Sequence, residues 1–118
     1  MTPDQAKHPG PTVALDGLGV ENGFDVLAEG IRLAQADGIP LRVFGPRSQI
    51  DVSGLSGVEV IDTTDQITND DDPVSSVRSR PDASIVRAVA DVSAGNSEAV
   101  VSLGSTGATM AAATFGLK

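Results

Sequence analysis

Short apolar runs alternate with amphipathic stretches along this chain, a pattern that predicts strands and helices in turn. Four runs rich in valine, isoleucine and leucine have the length of buried strands: residues 12–16, 41–45, 58–62 and 98–102. After the first run, residues 22–37 carry Leu27, Ile31 and Ala34 at positions i, i+4 and i+7. Because that spacing places all three side chains on one face, it predicts an amphipathic helix.

Capping residues and turn formers indicate where two of the helices begin and end. We expect Asn22 to cap the first helix and Gly38 to end it. Asp72 followed by Pro73 indicates a short helix over residues 73–78. Proline favours the first position of a helix, since that position needs no backbone N–H donor.

Two further helices are predicted in the second half of the chain. We expect Asp82 to cap a helix over residues 83–93. Its apolar positions share one face: Ile85, Val89 and Val92. Residues 105–117 form a last helix that is apolar on most of its faces, so we expect it to be buried.

The order of these elements predicts an α/β fold, a three-layer α/β/α arrangement with a mostly parallel sheet. Helical crossovers of this length join parallel strands. Residues 46–57 are predicted to be a loop or a short helix around 48–51. We expect residues 1–11 to be a flexible tail and residues 12–118 to be one domain, incomplete because its last helix would normally lead into another strand.

Composition narrows the class of protein. The 118 residues are 40% hydrophobic and contain no cysteine, which excludes disulfides, thiolate zinc sites and a cysteine nucleophile. The polar residues 1–11 lack the apolar segment of a signal peptide. No apolar run approaches the roughly 20 residues of a membrane-spanning helix. We therefore expect a cytoplasmic protein.

The formal net charge is −8, which argues against nucleic acid as a partner because phosphate backbones bind basic surfaces. Most of this acidity is expected to serve solubility. The same charge works against long-range attraction of an anionic ligand. Any phosphate site in this chain must therefore be built from local backbone dipoles.

The first candidate site is the first glycine loop, residues 16–23, between the first strand and the first helix. Gly17 and Gly19 permit close backbone approach, and a helix N-terminus offers free N–H groups to an anion. With Gly23 the loop resembles a dinucleotide fingerprint, but the second strand lacks the acidic residue that binds ribose. A tight strand-to-helix turn without a ligand is the alternative.

The second candidate site is the second glycine loop, residues 102–108, between the fourth strand and the last helix. Gly104 and Gly107 bracket the hydroxyl residues Ser105 and Thr106. Backbone N–H groups and these two hydroxyls could hold a phosphate or an oxyanion without a charged side chain. No Gly-Lys-Ser/Thr follows, so this is not a Walker loop. A capped helix with small residues for close packing is the alternative.

Other polar residues carry weaker signals. His8 is the only histidine and lies in the tail, so a histidine-dependent catalytic triad is not expected. The acidic run 70–72 is expected to be a solvated loop with a helix cap rather than a metal site. Three arginines could approach a phosphate but are expected to be surface charges: Arg78, Arg80 and Arg87. We expect no metal and no cofactor.

Several motifs resemble those of the PlsX family of phosphate acyltransferases. ALDGLGVEN at residues 14–22 resembles the family's ALDAMGGDN, and Glu-Gly follows at 29–30 as it often does in the family. DDPV at 71–74 resembles a central Asp-Asp-x-Pro-Val segment. AVVSLGSTGATMA at 99–111 resembles the family's AVVSAGNTGALMA. The matches keep their order over nearly the whole chain after Pro11.

The resemblance implies a function and a fold. The family transfers a fatty acyl group from acyl carrier protein to inorganic phosphate, which gives an acyl phosphate for phospholipid synthesis. Its fold is similar to that of the isopropylmalate dehydrogenase group, of which this chain would be the N-terminal part. Full-length members are implied to be homodimers, with any peripheral membrane contact outside this segment.

The resemblance also implies the site residues. Four residues of the second glycine loop are expected to contact phosphate or the oxyanion: Gly104, Ser105, Thr106 and Gly107. Four residues of the first glycine loop are expected on the opposite side of the cleft: Asp16, Gly19, Glu21 and Asn22. The candidates for a catalytic role are Ser105, Thr106 and Asn22.

This sequence departs from the family pattern at three loop positions. The family's second glycine is Val20 here, its aspartate is Glu21, and its loop asparagine is Ser105. Family members are also considerably longer. Two alternatives to the acyltransferase therefore stay open: a non-catalytic or partner-completed binding domain of the same fold, and a nucleotide-dependent oxidoreductase.

Overall fold

The computed structural model describes residues 11–20 and 23–117. It contains a sheet of four strands: β1 (Val13–Asp16), β2 (Leu41–Gly45), β3 (Val58–Asp62) and β4 (Ala99–Ser102). The strand order is β3-β2-β1-β4, and every neighbouring pair is parallel. The predicted parallel α/β architecture is confirmed.

Helices cover the two faces of this sheet. They are α1 (Phe24–Ala36), α2 (Pro73–Ser79), α3 (Ser84–Ser93) and α4 (Thr106–Gly116), with a 3₁₀ turn at Arg47–Gln49. Side chains alternate along a strand, so consecutive residues of β1 face opposite sides. Leu15 packs with the cluster of α1, whereas Ala14 packs with Ala88 of α3. This is the expected three-layer arrangement.

Apart from Phe44, which is 2% exposed, the buried hydrophobic residues that the structure describes are aliphatic, since the chain has no tryptophan and no tyrosine. On one face of the sheet, Leu27 and Ile31 of α1 pack over Leu41 and Val43 of β2. On the other face, α2, α3 and α4 share a second cluster. Its buried members are Ile67, Val77, Ala83, Ile85, Val89, Ala108, Ala111 and Ala112.

An ion pair ties β2 to α3. Arg42 donates two hydrogen bonds to the Asp91 carboxylate, from Nε at 2.8 Å and from Nη2 at 3.0 Å. Ser97 Oγ donates to the same carboxylate at 2.6 Å, and the Asp91 side chain is only 6% exposed. Glu59 contacts the other side of Arg42 but is 63% exposed. Asp91 is therefore the member of this network that depends most on its partners.

Some helix boundaries follow the local sequence. Gly38 ends α1 with φ of 77°, a backbone region that glycine adopts readily. The Asp72 carboxylate accepts a hydrogen bond from the Ser75 N–H at 3.0 Å, and Pro73 opens α2. Both predictions are confirmed.

Two predicted caps are wrong. The N-cap of α1 is Gly23 rather than Asn22, which itself lies outside the described residues, and Gly23 makes no side-chain capping hydrogen bond. The N-cap of α3 is Ala83 rather than Asp82. Ala83 is fully buried, and the Ser84 N–H donates to the Asp65 carbonyl at 2.9 Å. Tertiary contacts thus set the start of α3, one residue later than the capping preference of aspartate predicted.

The prediction that the last helix is buried on most faces is also wrong. Its small residues Ala108, Ala111 and Ala112 are buried against α2 and α3, but Met110 is 65% exposed. Phe115 and Leu117 are partly exposed as well. Within the part of the chain that the structure describes, no element packs on the outer side of α4. This helix therefore carries more apolar side chains than the described part of the fold buries.

A second uncovered apolar surface lies between α1 and the edge strand β4. This apolar groove has a volume of about 310 Å³. It is lined by Val13, Leu15, Leu27, Gly30, Ile31, Ala34, Ile39, Leu41, Val101 and Leu103.

Among the residues that the structure describes, no helix combines the length and the apolar character needed to cross a membrane.

Candidate functional site

The two glycine loops meet where β1 and β4 end. Asp16 and Ser102 are the last residues of these strands and pair in the sheet register. Ser102 Oγ donates to the Asp16 carboxylate at 2.8 Å, and the Gly104 N–H donates to Ser102 Oγ at 3.1 Å. The Leu18 N–H donates to the same carboxylate at 3.1 Å. Asp16 is buried and therefore fastens the two loops to each other.

Glycine is required where the loops touch. Gly19 has φ of 89°, and a Cβ atom at this position would lie 2.8 Å from the Gly104 Cα. Any side chain would clash with backbone there, since non-bonded carbon atoms sit at about 3.5–4.0 Å. The neighbouring Val20 adopts no positive φ, so it fits the loop without the conformation reserved for glycine.

The N-terminus of α4 points free donors at this junction. Ser105 is the N-cap, and its Oγ accepts a hydrogen bond from the Ala108 N–H at 3.2 Å. The backbone N–H groups of Ser105, Thr106 and Gly107 have no acceptor among residues 11–20 and 23–117. Free N–H groups and the helix dipole together suit an anion.

These donors open into a polar cleft of about 340 Å³. The polar cleft is lined by Gly19, Gln66, Thr68, Asn69, Leu103, Gly104, Ser105 and Thr106. It therefore includes both glycine loops and a third loop, residues 63–72, which connects β3 to α2. No arginine or lysine of the described residues lines it. The cleft can hold an anion through neutral donors alone.

Comparison with known proteins identifies the family. The family model described as fatty acid synthesis protein matches residues 12–118. The chain belongs to this fatty acid synthesis protein family. The resemblance to PlsX acyltransferases that the loop motifs indicated is thereby confirmed.

The curated relatives carry the name phosphate acyltransferase. The chain is 33% identical over 107 residues to the protein of Enterococcus faecalis, covering 87% of this chain and 32% of the relative. It is 36% identical over 105 residues to the protein of Macrococcus caseolyticus, with coverage of 87% and 32%. The protein of Clostridium acetobutylicum is 33% identical over 111 residues, with coverage of 87% and 34%. The chain thus spans about a third of the length of these relatives.

Some of the predicted site residues line the polar cleft and others do not. Gly19, Gly104, Ser105 and Thr106 line the polar cleft. Asp16 lies buried beneath it, bonded to Ser102. Gly107 is not among the residues that line it. A Cβ atom at Gly107 would lie 2.8 Å from Pro73 Cγ, which explains a small residue there by close helix packing. Glu21 and Asn22, like His8, lie outside the described residues.

Gln66, Thr68 and Asn69 are cleft residues that sequence reasoning missed. They belong to a polar segment that follows the edge strand β3, two strands away from β1. The signal that could have found them is Ile67, a single apolar residue within that segment. Ile67 is 3% exposed and inserts into the core of α2, α3 and α4. This insertion draws the third loop over the end of the sheet toward the glycine loops.

Arg80 holds the third loop in place. Its guanidinium hydrogen-bonds the Asp65 carboxylate, the Gln66 carbonyl at 2.8 Å and the Asp71 carboxylate at 3.2 Å. The hydrogen bond with Asp65, more than any other interaction, raises the pKa of Arg80. The same hydrogen bond holds the pKa of Asp65 below its ordinary value of 3.8. Arg80 is therefore part of the loop's support, although the sequence suggested only a surface charge.

We expect the Arg80→Gln variant to unfold at a lower urea concentration than the natural sequence at pH 7. A carboxylate with a depressed folded pKa stabilises the protein above its ordinary pKa and loses this contribution as the pH falls through the folded value. The difference between the urea midpoints of the two proteins should therefore become smaller below pH 3.8. Urea unfolding followed by circular dichroism at pH 7 and at acid pH measures it. An equal difference at both pH values would contradict the ion-pair explanation.

The other charged candidates have structural partners. Asp71 accepts hydrogen bonds from Thr68 and Arg80, and Asp72 caps α2. Arg78 lies over the Phe115 ring at 5.1 Å, a cation–π contact, and Arg87 donates to a backbone carbonyl. Within residues 11–20 and 23–117, no three acidic or histidine side chains are grouped to hold a metal ion.

Proposed function

We propose that this domain carries the phosphate-binding part of an enzyme that transfers a fatty acyl group from acyl carrier protein to inorganic phosphate. The product would be an acyl phosphate for phospholipid synthesis. The observation that carries the proposal is the polar cleft of neutral donors in a chain whose relatives are named phosphate acyltransferase. A cytoplasmic location and a homodimeric full-length protein belong to the same proposal.

The proposed reaction is an acyl transfer between a thioester and phosphate. A phosphate oxygen attacks the thioester carbonyl carbon, forming a C–O bond and a tetrahedral intermediate with an oxyanion. The C–S bond then breaks, and the leaving thiolate takes up a proton from solvent. Such a reaction needs donors for the phosphate and for the oxyanion, and preorganised N–H groups stabilise the developing charge strongly.

The described residues suggest distinct roles within this proposal. The N–H groups and the hydroxyls of Ser105 and Thr106, both of which line the polar cleft, would donate to the phosphate or the oxyanion. Asp16 would keep the glycine loops together, because its carboxylate is buried and already accepts from Ser102 and Leu18. A local site of this kind overcomes the overall charge of −8, since the dipoles act at contact distance.

The test measures phosphate binding and acyl transfer separately. Inorganic phosphate is titrated into the ¹⁵N-labelled chain at constant ionic strength, with chloride as the control anion. We expect the amide signals of residues 104–107 to shift, while those around Gly54, in the loop between β2 and β3 and outside the lining of the polar cleft, stay in place. In parallel, the chain is mixed with acyl-acyl carrier protein and phosphate, and acyl phosphate is trapped with hydroxylamine.

Phosphate-dependent trapping would support the enzyme, and unchanged signals at residues 104–107 would overturn the proposed site. A second candidate is a binding domain of the same fold that a second chain completes. The observation that favours it is the uncovered apolar groove. Phosphate binding without trapping by the isolated chain, with trapping restored by the remainder of a relative, would select this candidate.

A further inference from the structure

Gln66 lies between the two glycine loops. Its Nε2 atom is 3.1 Å from the position that a Cβ atom on Gly19 would take. Gln66 lines the polar cleft and also a smaller cleft of about 300 Å³ on the other side of Gly19. The side chain is therefore at the junction of the loops and lines the same polar cleft as the start of α4.

The backbone of Gln66 is fixed from three directions. Its carbonyl accepts a hydrogen bond from Arg80 at 2.8 Å. The residue before it, Asp65, pairs with the same guanidinium, and the residue after it, Ile67, is anchored in the core. A side chain on such a support loses less conformational entropy when it binds a ligand.

The amide group of Gln66 is uncommitted. Within residues 11–20 and 23–117 it makes no hydrogen bond, although it is only partly exposed to solvent. An amide has two N–H donors and one acceptor oxygen, so it can satisfy an oxyanion without adding charge. The cleft's other donors, at the start of α4, are neutral as well. The Gln66 amide therefore adds a neutral donor, held by a fixed backbone, to the neutral donors at the start of α4.

We propose that Gln66 binds the phosphate directly and forms the wall of the site opposite the α4 N-terminus. This inference rests on the proposed function, because it assigns a further ligand to the same polar cleft. It makes the third loop part of the binding site rather than a connection between β3 and α2. Arg80 would then act indirectly, because it hydrogen-bonds the Gln66 carbonyl and so positions Gln66.

Two substitutions separate this role from a structural one. Gln66→Met keeps the length of the side chain and removes both N–H donors, and we expect it to weaken phosphate binding about tenfold, the effect of one hydrogen bond to a charged group. Gln66→Glu keeps the shape and adds a negative charge, and we expect a loss of about a hundredfold. The readout is the phosphate titration of the amide signals of residues 104–107.

The matched control is Gln49→Glu. Gln49 is exposed in the 3₁₀ turn and lines neither cleft, so the change adds the same charge elsewhere. We expect phosphate affinity within about twofold of the natural sequence, because exposed charges are screened over about 8 Å at physiological salt. Urea unfolding of all three variants shows that they fold.

A second readout follows Gln66 itself. Its side-chain NH₂ signals are assigned by their loss in Gln66→Met, and we expect them to shift as phosphate is added. If the natural chain binds phosphate and Gln66→Met binds equally well, the role of Gln66 is wrong and the proposed function stands. If phosphate leaves residues 104–107 unshifted in the natural chain, both the Gln66 inference and the proposed site are wrong.

Discussion

Gly19→Ala is expected to lower the free energy of unfolding by about 2–4 kcal/mol and to abolish phosphate binding at millimolar concentrations. The backbone at Gly19 has φ of 89°, which costs an alanine about 1 kcal/mol. The Cβ atom of the alanine would lie 2.8 Å from the Gly104 Cα, a backbone atom that cannot rotate away as a flexible side chain can. The first and second glycine loops must then separate, which adds about 1–3 kcal/mol and widens the polar cleft.

Gly23→Ala is the matched control for this prediction. Gly23 has φ of 86°, close to that of Gly19, but among the described residues, its chain neighbours aside, no atom lies within 4 Å of where a Cβ atom would be. We therefore expect it to carry only the backbone cost of about 1 kcal/mol. Urea unfolding and the phosphate titration measure both variants. If the two variants lose equal stability and bind phosphate equally, then the close contact of Gly19 with Gly104 does not explain why glycine is needed at position 19.

Asp91→Ala is expected to lower the free energy of unfolding by about 3 kcal/mol at pH 7, the usual cost of removing one partner from a buried ion pair. The substitution leaves Arg42, which is 24% exposed, with only its exposed partner Glu59. It also removes the acceptor of Ser97, a residue that is 3% exposed. Chemical unfolding at pH 7 measures the loss.

The pH dependence gives this prediction a second check. Desolvation, the largest influence, raises the pKa of Asp91, but the hydrogen bonds from Arg42 and Ser97 hold it below its ordinary value of 3.8. The stabilisation is thus present above pH 3.8 and is lost as the pH falls through the lower folded value. Glu59→Ala, the control on the same arginine, should cost less than about 0.5 kcal/mol. A loss as large as that of Asp91→Ala would contradict the importance of burial.

The strands were predictable because their signals are local. β2 and β3 have the predicted bounds, since each is a short run rich in apolar residues between turn-forming residues. The cap of α2 was predictable for the same reason, because Asp72 bonds a residue three positions on. The start of α3 was not, because the burial of Ala83 fixes it. The exposure of α4 was not either, since composition alone does not show what packs against a helix.

The site was predictable in two of its three parts. Both glycine loops follow neighbouring strands of a parallel sheet, so their meeting follows from topology and from small residues. The third loop arrives from the edge of the sheet, and the burial of Ile67 and the contacts of Arg80 bring it there. The hydrogen bonds of Arg80 join residues up to 15 positions apart, Ile67 packs in a cluster with Ala112, and neither contact has a periodic signature in the sequence. Gln66 could therefore be found only in the folded chain.

The uncovered side of α4 affects how separate copies of this chain behave in solution. Met110 on α4 presents an apolar side chain to water, as Leu103 does in the apolar groove, which favours self-association, while the net charge of −8 makes copies repel. Salt weakens the repulsion, whose range falls to about 3 Å at 1 M, but leaves the apolar attraction in place. Dilute, low-salt buffers therefore favour monomers, whereas concentrated sulfate drives the copies together.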